Sequence, residues 1–281
     1  MALRYLAGLV GMFAVCYGVQ TLALRASGGK TVKSESNYFS SIARIQTESQ
    51  GKPRIMMLGS SLTGRLGDRA QHVEGVANLG CDGGSAVVTL RAMDRGILPT
   101  APLLIIEANS LSFELERRGK EIGEAIDSRW FDVGIKTPNL GATARPTAFA
   151  YSWLMARSSG SAPNTEQEFL PITTKPGILD PASAPKLDSK ETELVDEVSA
   201  ILDRLRKNGS KILLVMIPPG AETDSVQMKI PMAVATKSEV PWWDLTDGLP
   251  PGSVGFSDGL HLDAASAQKV MLTLMREVGK R

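Results

Sequence analysis

Five short apolar runs set the strongest limit on how this chain can fold. They are Arg54 to Leu58, Val76 to Leu79, Leu103 to Glu107, Lys211 to Ile217 and Val240 to Leu245. Each is strand-length, and none alternates with polar residues, which is the profile of a parallel strand buried on both faces. Helical patterns lie between and after them, at Ser85 to Ile97, Lys190 to Lys207 and Ala264 to Val278. In the second of these, Leu194, Val198, Ile201, Leu202 and Leu205 fall on one helical face, and Gly209 stands where a C-cap belongs. Strands alternating with helices predict an α/β domain whose parallel sheet is covered on both faces.

The rest of the chain frames that domain. Its 281 residues suit one large domain, or a domain with a tail. Tyr5 to Leu24 is uncharged and flanked by Arg4 and Arg25, and twenty residues at ~1.5 Å rise match the ~30 Å hydrocarbon core. Residues 1–28 are therefore expected to be a transmembrane anchor, with membrane contact through residues 5–24. Ala26-Ser27-Gly28 also resembles a small-x-small cleavage site, which would make the mature protein secreted, but the length of the run favours an uncleaved anchor. Residues 29–52 read as a linker with a short helix near Tyr38 to Thr47, and 53–281 as the folded domain. Ser112 to Arg129 is charged and helical in pattern. Residues 138–190 carry seven prolines and are expected as an irregular insertion over the carboxyl edge of the sheet, or partly disordered.

Charge and rare residues narrow the chemistry. Thirty-one basic residues against thirty acidic ones leave a net charge of +1, which argues against nucleic acid as a partner. With two Cys and two His in the chain, a zinc cluster would have to use Cys16, Cys81, His72 and His261 together, and a disulfide scaffold is excluded. No metal and no cofactor is implied. A mechanism that needs histidine has two candidates.

In open α/β sheets, sites form beyond the carboxyl ends of the strands. The residues there are Gly59-Ser60-Ser61-Leu62-Thr63, Asn78-Leu79-Gly80-Cys81-Asp82-Gly83-Gly84, Glu107-Ala108-Asn109-Ser110, and Ser257-Asp258-Gly259-Leu260-His261 before the last helix. Together they supply a hydroxyl, glycine amides, a side-chain amide and an Asp/His pair, the parts required for acyl transfer through a tetrahedral intermediate. A serine hydroxyl needs a base, and imidazole titrates near neutrality. Asp258 can orient His261 and stabilise its protonated form. Gly83 permits close backbone approach, and Asn109 can donate to an oxyanion. Cys81 has no basic neighbour in sequence and reads as a packing thiol. His72 reads as a solvated bystander. Of Trp242 and Trp243, at least one is expected in the core, with a place beside the cleft open to the other.

These four blocks, in this order, resemble those of the SGNH/GDSL hydrolase superfamily. Gly59-Ser60-Ser61-Leu62 matches its Gly-Asp-Ser-Leu block except at Ser60, and places the nucleophile at Ser61. Asn78 and Gly83 fit its second block, Asn109 is what remains of its Gly-x-Asn-Asp block, and Asp258 with His261 match its Asp-x-x-His block in full. The resemblance implies a flavodoxin-like three-layer α/β/α sandwich with a central, mostly parallel five-stranded sheet. It also implies a triad of Ser61, Asp258 and His261 and an oxyanion hole that includes Gly83 and Asn109. Ser60 is tolerable because that position does not supply the triad acid, while the departures at Glu107 and Ser110 suggest a divergent branch, such as the membrane-anchored members acting on acyl groups of carbohydrate or cell-envelope polymers. The expected activity is hydrolysis of an O-acyl ester, with O-acyl transfer from the same acyl-enzyme, or a silent polysaccharide-binding or assembly subunit, as alternatives. Protein partners are not indicated. Arg4 before the anchor, against Arg25, Lys30 and Lys33 after it, would put the domain in the cytoplasm. An envelope substrate would put it outside, in a periplasmic or other extracytoplasmic space, and that side is favoured.

Overall fold

The computed structural model describes residues 2–28, 34–69, 73–158 and 168–279. His72 lies outside the described residues. Strands β1 (Ile55–Gly59), β2 (Val76–Gly80), β3 (Leu103–Glu107), β4 (Lys211–Met216) and β5 (Trp242–Asp244) form one sheet in the order β2-β1-β3-β4-β5. Every pairing is parallel, with Met57 level with Asn78 on one side and Ile105 on the other. The helices are α1 (Ala2–Ala26), α2 (Asn37–Glu48), α3 (Ser61–Arg69), α4 (Ala86–Asp94), α5 (Lys120–Ile126), α6 (Arg129–Lys136), α7 (Pro146–Ser158), α8 (Ser189–Lys207), α9 (Val226–Lys237) and α10 (Ala264–Val278).

The unbroken apolar character of the strands follows from cover on both sides. Met56, Leu58, Leu104, Ile106 and Leu214 join one core with residues of α2, α4, α8 and α9. Met57, Ile105, Leu213 and Val215 join a second core with Leu66 of α3 and Val270 and Leu274 of α10. Trp242 and Trp243 divide between these two cores, and both are buried, so neither flanks the cleft. The strand order reverses between β1 and β3, where ligand crevices form in sheets of this order.

Three expectations about organisation change. First, the short helix expected near Tyr38 to Thr47 is present as α2, but it belongs to the domain and not to a linker. Ser36 caps α2, whose Ile42, Ala43 and Ile45 are buried against the β1–β2 side of the sheet, so the domain begins no later than Asn37. Second, the charged stretch after β3 is not one helix. A 3-10 helix (Ala108–Glu116) ends at Arg117, which adopts φ 52, and α5 and α6 follow. Third, the described part of the proline-rich segment is not irregular throughout. Its first part forms 3-10 turns at Pro138–Leu140 and Ala142–Ala144 and then α7, all packed near α1. Its later part runs along the open edge of β5. There Gly177 pairs antiparallel with Trp242, and Trp243 Nε1 donates to Thr174 O at 3.2 Å. Covering an edge strand removes a site for unwanted pairing.

Candidate active site

The turn from β1 into α3 decides what Ser61 can do. The carbonyl of Ser60 accepts from Gly64 N at 3.0 Å, and Ser60 Oγ accepts from Leu62 N at 3.2 Å. Ser60 is therefore the N-cap, and Ser61 is the first helical residue. Its hydroxyl is not the capping group, and its amide, at the first helical position, has no intrahelical acceptor. The positive end of the helix dipole lies at the same place.

Ser61 Oγ stands 2.9 Å from His261 Nε2, across 200 residues of sequence. On the far side of the ring, Nδ1 is 2.8 Å from Asp258 Oδ2 and 3.0 Å from Oδ1. Acid and base share one tight turn. Asp258 Oδ1 accepts from His261 N at 2.8 Å and Leu260 N at 3.2 Å, and Ser257 N donates to His261 O at 2.8 Å. Arg65 of α3 adds an ion pair to Asp258 Oδ2 at 2.8 Å. The His261 backbone N–H, the imidazole and the Arg65 guanidinium together hold the Asp258 carboxyl well below the usual carboxylate range, against a smaller opposing effect of burial. An ionised Asp258 accepts a hydrogen bond from Nδ1–H, which leaves Nε2 as the acceptor facing Ser61.

A buried carboxylate supports this turn from below. Glu107 closes β3 at 1% exposure. Its Oε2 accepts from Ser60 N (2.9 Å), Thr63 N (2.9 Å) and Thr63 Oγ1 (2.7 Å), and its Oε1 accepts from Ser60 Oγ (2.6 Å). Glu107 thus caps α3 from a different strand. Burial pushes its carboxyl above the ordinary range, and the four donors partly offset this. Gly59 is required by the close fit, since a Cβ there would stand 2.4 Å from Glu107 Oε2 and 2.1 Å from Thr63 Oγ1.

The loops after β2 and β3 bring up the remaining candidates. Gly83 has φ +75, a conformation that suits glycine, and a Cβ there would meet only Asn37 Nδ2, at 3.6 Å. Its loop is held by a buried ion pair, in which Arg44 Nη1 donates to Asp82 Oδ1 at 3.0 Å and to Gly80 O at 2.7 Å. Asn78 ties the same loop to α3, donating to Thr63 O at 2.7 Å and accepting from Gly80 N at 2.9 Å. Asn109 is buried and clamped to the end of β4. Its Nδ2 donates to Ile217 O at 2.9 Å, and its Oδ1 accepts from Ile217 N at 2.8 Å. An amide nitrogen carries two protons, so one donor remains for another acceptor. Ser110 Oγ accepts from Ala86 N at 3.1 Å and so joins the third loop to α4. Cys81 is fully buried, and burial pushes its thiol up to about 12, which leaves it inert as a nucleophile.

Ser61, His261 and Asp258 are thus brought into one relay, and Gly83 and Asn109 lie on the adjoining carboxyl-edge loops. Sequence reasoning missed the supporting residues Glu107, Thr63, Arg65, Arg44 and Asp82. One signal was present, an acidic residue closing an otherwise apolar strand at Glu107. A cavity of about 310 Å³ opens between Leu62, Asn109, Phe113, Pro219 and Leu260. A larger one, about 790 Å³, lies at the amino ends of the strands among Arg54, Leu103, Lys211 and Pro241, at the opposite end of the sheet from the relay. Among the described residues, no group of three or more His, Cys, Asp or Glu side chains is placed to hold a metal ion. No family model, curated protein or solved structure matches the chain.

Proposed function

We propose that this chain is a serine esterase of the SGNH/GDSL type that hydrolyses O-acyl esters from a membrane-anchored, extracytoplasmic domain. The observation that carries the reading is the relay of Ser61 Oγ, His261 Nε2 and Asp258, with contacts of 2.9 and 2.8 Å, in which a neighbouring residue has taken over the capping duty of the serine. The sheet order and the four carboxyl-edge loops are consistent with that fold family. Acetylated carbohydrate or envelope polymer, as the substrate class, rests on the resemblance of the blocks alone.

In this reading Ser61 Oγ passes its proton to His261 Nε2 as it attacks the ester carbonyl carbon. The carbonyl oxygen takes up negative charge among the Ser61 amide, the Gly83 amide and the spare Asn109 Nδ2 proton. Collapse breaks the bond to the alcohol, which leaves with the proton from His261. Water then gives a proton to Nε2 and attacks the acyl-Ser61 carbon, and Ser61 leaves with that proton as the carboxylic acid is released. Asp258 stays ionised throughout and stabilises the transient imidazolium.

The test is covalent labelling of the full chain with a fluorophosphonate. The adduct should map to Ser61 by peptide mass and be absent in Ser61→Ala. Absence of label in the wild type, together with no turnover of a simple acetyl ester, would refute the proposal and favour the silent subunit.

A further inference from the structure

The anchor is shorter than it looks, because the domain holds the last eight residues of its uncharged run, Tyr17 to Leu24. Tyr17 and Thr21 both bond Asn139 Nδ2, each at 3.1 Å, and Ala23 is buried. Gly18, Gln20 and Leu24 are partly covered, whereas the residues from Leu3 to Cys16 are exposed. The uncharged stretch that stands clear of the domain is therefore Tyr5 to Cys16. Those twelve residues reach only about 18 Å, against the ~30 Å of a hydrocarbon core. Tilting the helix would widen the shortfall of about 12 Å. If α1 spans a bilayer, the segment from Tyr17 to Leu24 must supply the difference, and what is packed on that segment goes down with it.

The face packed on it suits that position. The 3-10 turns at Pro138–Leu140 and Ala142–Ala144, together with α7, contact α1. From Thr137 to Thr165 the sequence contains no Asp or Glu, in a chain that has thirty, and its only charges are Arg145 and Arg157. On this face Leu140 is 38% exposed, Trp153 47% and Leu154 58%, and the Arg157 guanidinium lies 3.8 Å over the Trp153 ring. Glu35 pairs with Arg145 at the start of α7, and the exposed set that remains, tryptophan and leucine with Arg157, suits the headgroup boundary, where interfacial elements sit ~5–10 Å deep.

We infer that the face formed by Leu140, Trp153 and Leu154 is embedded in the bilayer interface, so that the domain lies on the membrane and is not suspended above it. This rests on the reading of α1 as a membrane span, and holds whichever side the domain occupies. The test uses the full chain in vesicles of phosphatidylcholine and phosphatidylglycerol, with Cys16→Ser removing the exposed native thiol. A polarity-sensitive fluorophore is placed in turn on Val10→Cys, Leu154→Cys and Glu193→Cys, the last on α8. Nitroxide in mid-chain should quench the label at Val10, and nitroxide at the headgroup the label at Leu154, while the label at Glu193 stays bright with both. Quenching at Val10 but not at Leu154 overturns the inference and leaves the span standing. A blue-shifted, unquenched label at Leu154 overturns it in favour of cover by protein, either a partner or a second copy. No quenching at Val10 removes both the span and the inference.

Discussion

Replacing Glu107 separates a carboxylate that merely fills space from one that holds the nucleophile turn. In Glu107→Ala, the amides of Ser60 and Thr63 lose their common acceptor inside the protein, and backbone groups cannot turn elsewhere. At about 1–3 kcal/mol for each orphaned donor, the loss is about 2–6 kcal/mol, while the two hydroxyls can rotate and add little. Domains of this kind are held by only about 5–15 kcal/mol, so the variant should unfold at much lower urea. Glu107→Gln should behave differently. Its carbonyl oxygen can replace Oε2 and keep three bonds, and its NH₂ can donate to Ser60 Oγ, which also accepts from Leu62 N. Urea unfolding followed by circular dichroism, with acetyl ester turnover on the same samples, reads both quantities. Turnover in the alanine variant should fall about 100-fold if the serine shifts by about 1 Å, and the glutamine variant should recover most of it. The pH dependence supplies a further sign. Burial raises the folded-state pKa of Glu107, so the wild type should lose stability as pH climbs from the unfolded value through the folded one, a slope absent from Glu107→Gln. Wild-type stability in Glu107→Ala, or equal damage from both substitutions, would refute the argument.

His261→Ala should abolish acyl turnover and His72→Ala should leave it nearly intact, as measured by ester hydrolysis and fluorophosphonate labelling; the reverse result would disprove the assignment of the last block. Asn109→Ala should cost on the order of 3 kcal/mol of transition-state stabilisation, seen as a loss in kcat/KM, with some loss of urea stability because the clamp on Ile217 goes too. Since Asp258 is held well below the usual carboxylate range, the acid limb of the kcat/KM profile should follow one proton, that of His261. The stability Asp258 contributes should persist above its unfolded value of about 3.9 and vanish only as pH falls through the lower folded one. Arg44→Ala should destabilise the domain by about 3–5 kcal/mol, because it leaves Asp82 buried and unpaired, and thermal unfolding would detect it.

The strands were legible because burial on both faces writes itself as an unbroken apolar run, and Ile55–Gly59 and Leu103–Glu107 fall where the runs predict. His261 was legible because histidine is rare in this chain, and Ser61 and Asp258 because of their places after the first strand and three residues before that histidine. The supports were not, because they depend on pairings across long sequence separations. Helix α2 reads as a short helix in a polar linker, yet it carries Ile45 into the core and Arg44 to Asp82, 38 residues away. Ser60 and Glu107 each read as a departure from the SGNH/GDSL blocks. In the folded chain they bond each other at 2.6 Å, a pairing that neither position announces alone.

Because the five-residue turn from Ser257 to His261 holds acid and base together by its own hydrogen bonds, both reach Ser61 as one unit when α10 seats beside α3. Under the proposed function, reactivity of Ser61 would then report topology as well as chemistry. A refolding chain should acquire its probe-sensitive serine when its last helix docks, and a C-terminal truncation that frees that helix should silence the site while leaving every catalytic side chain in place along the sequence.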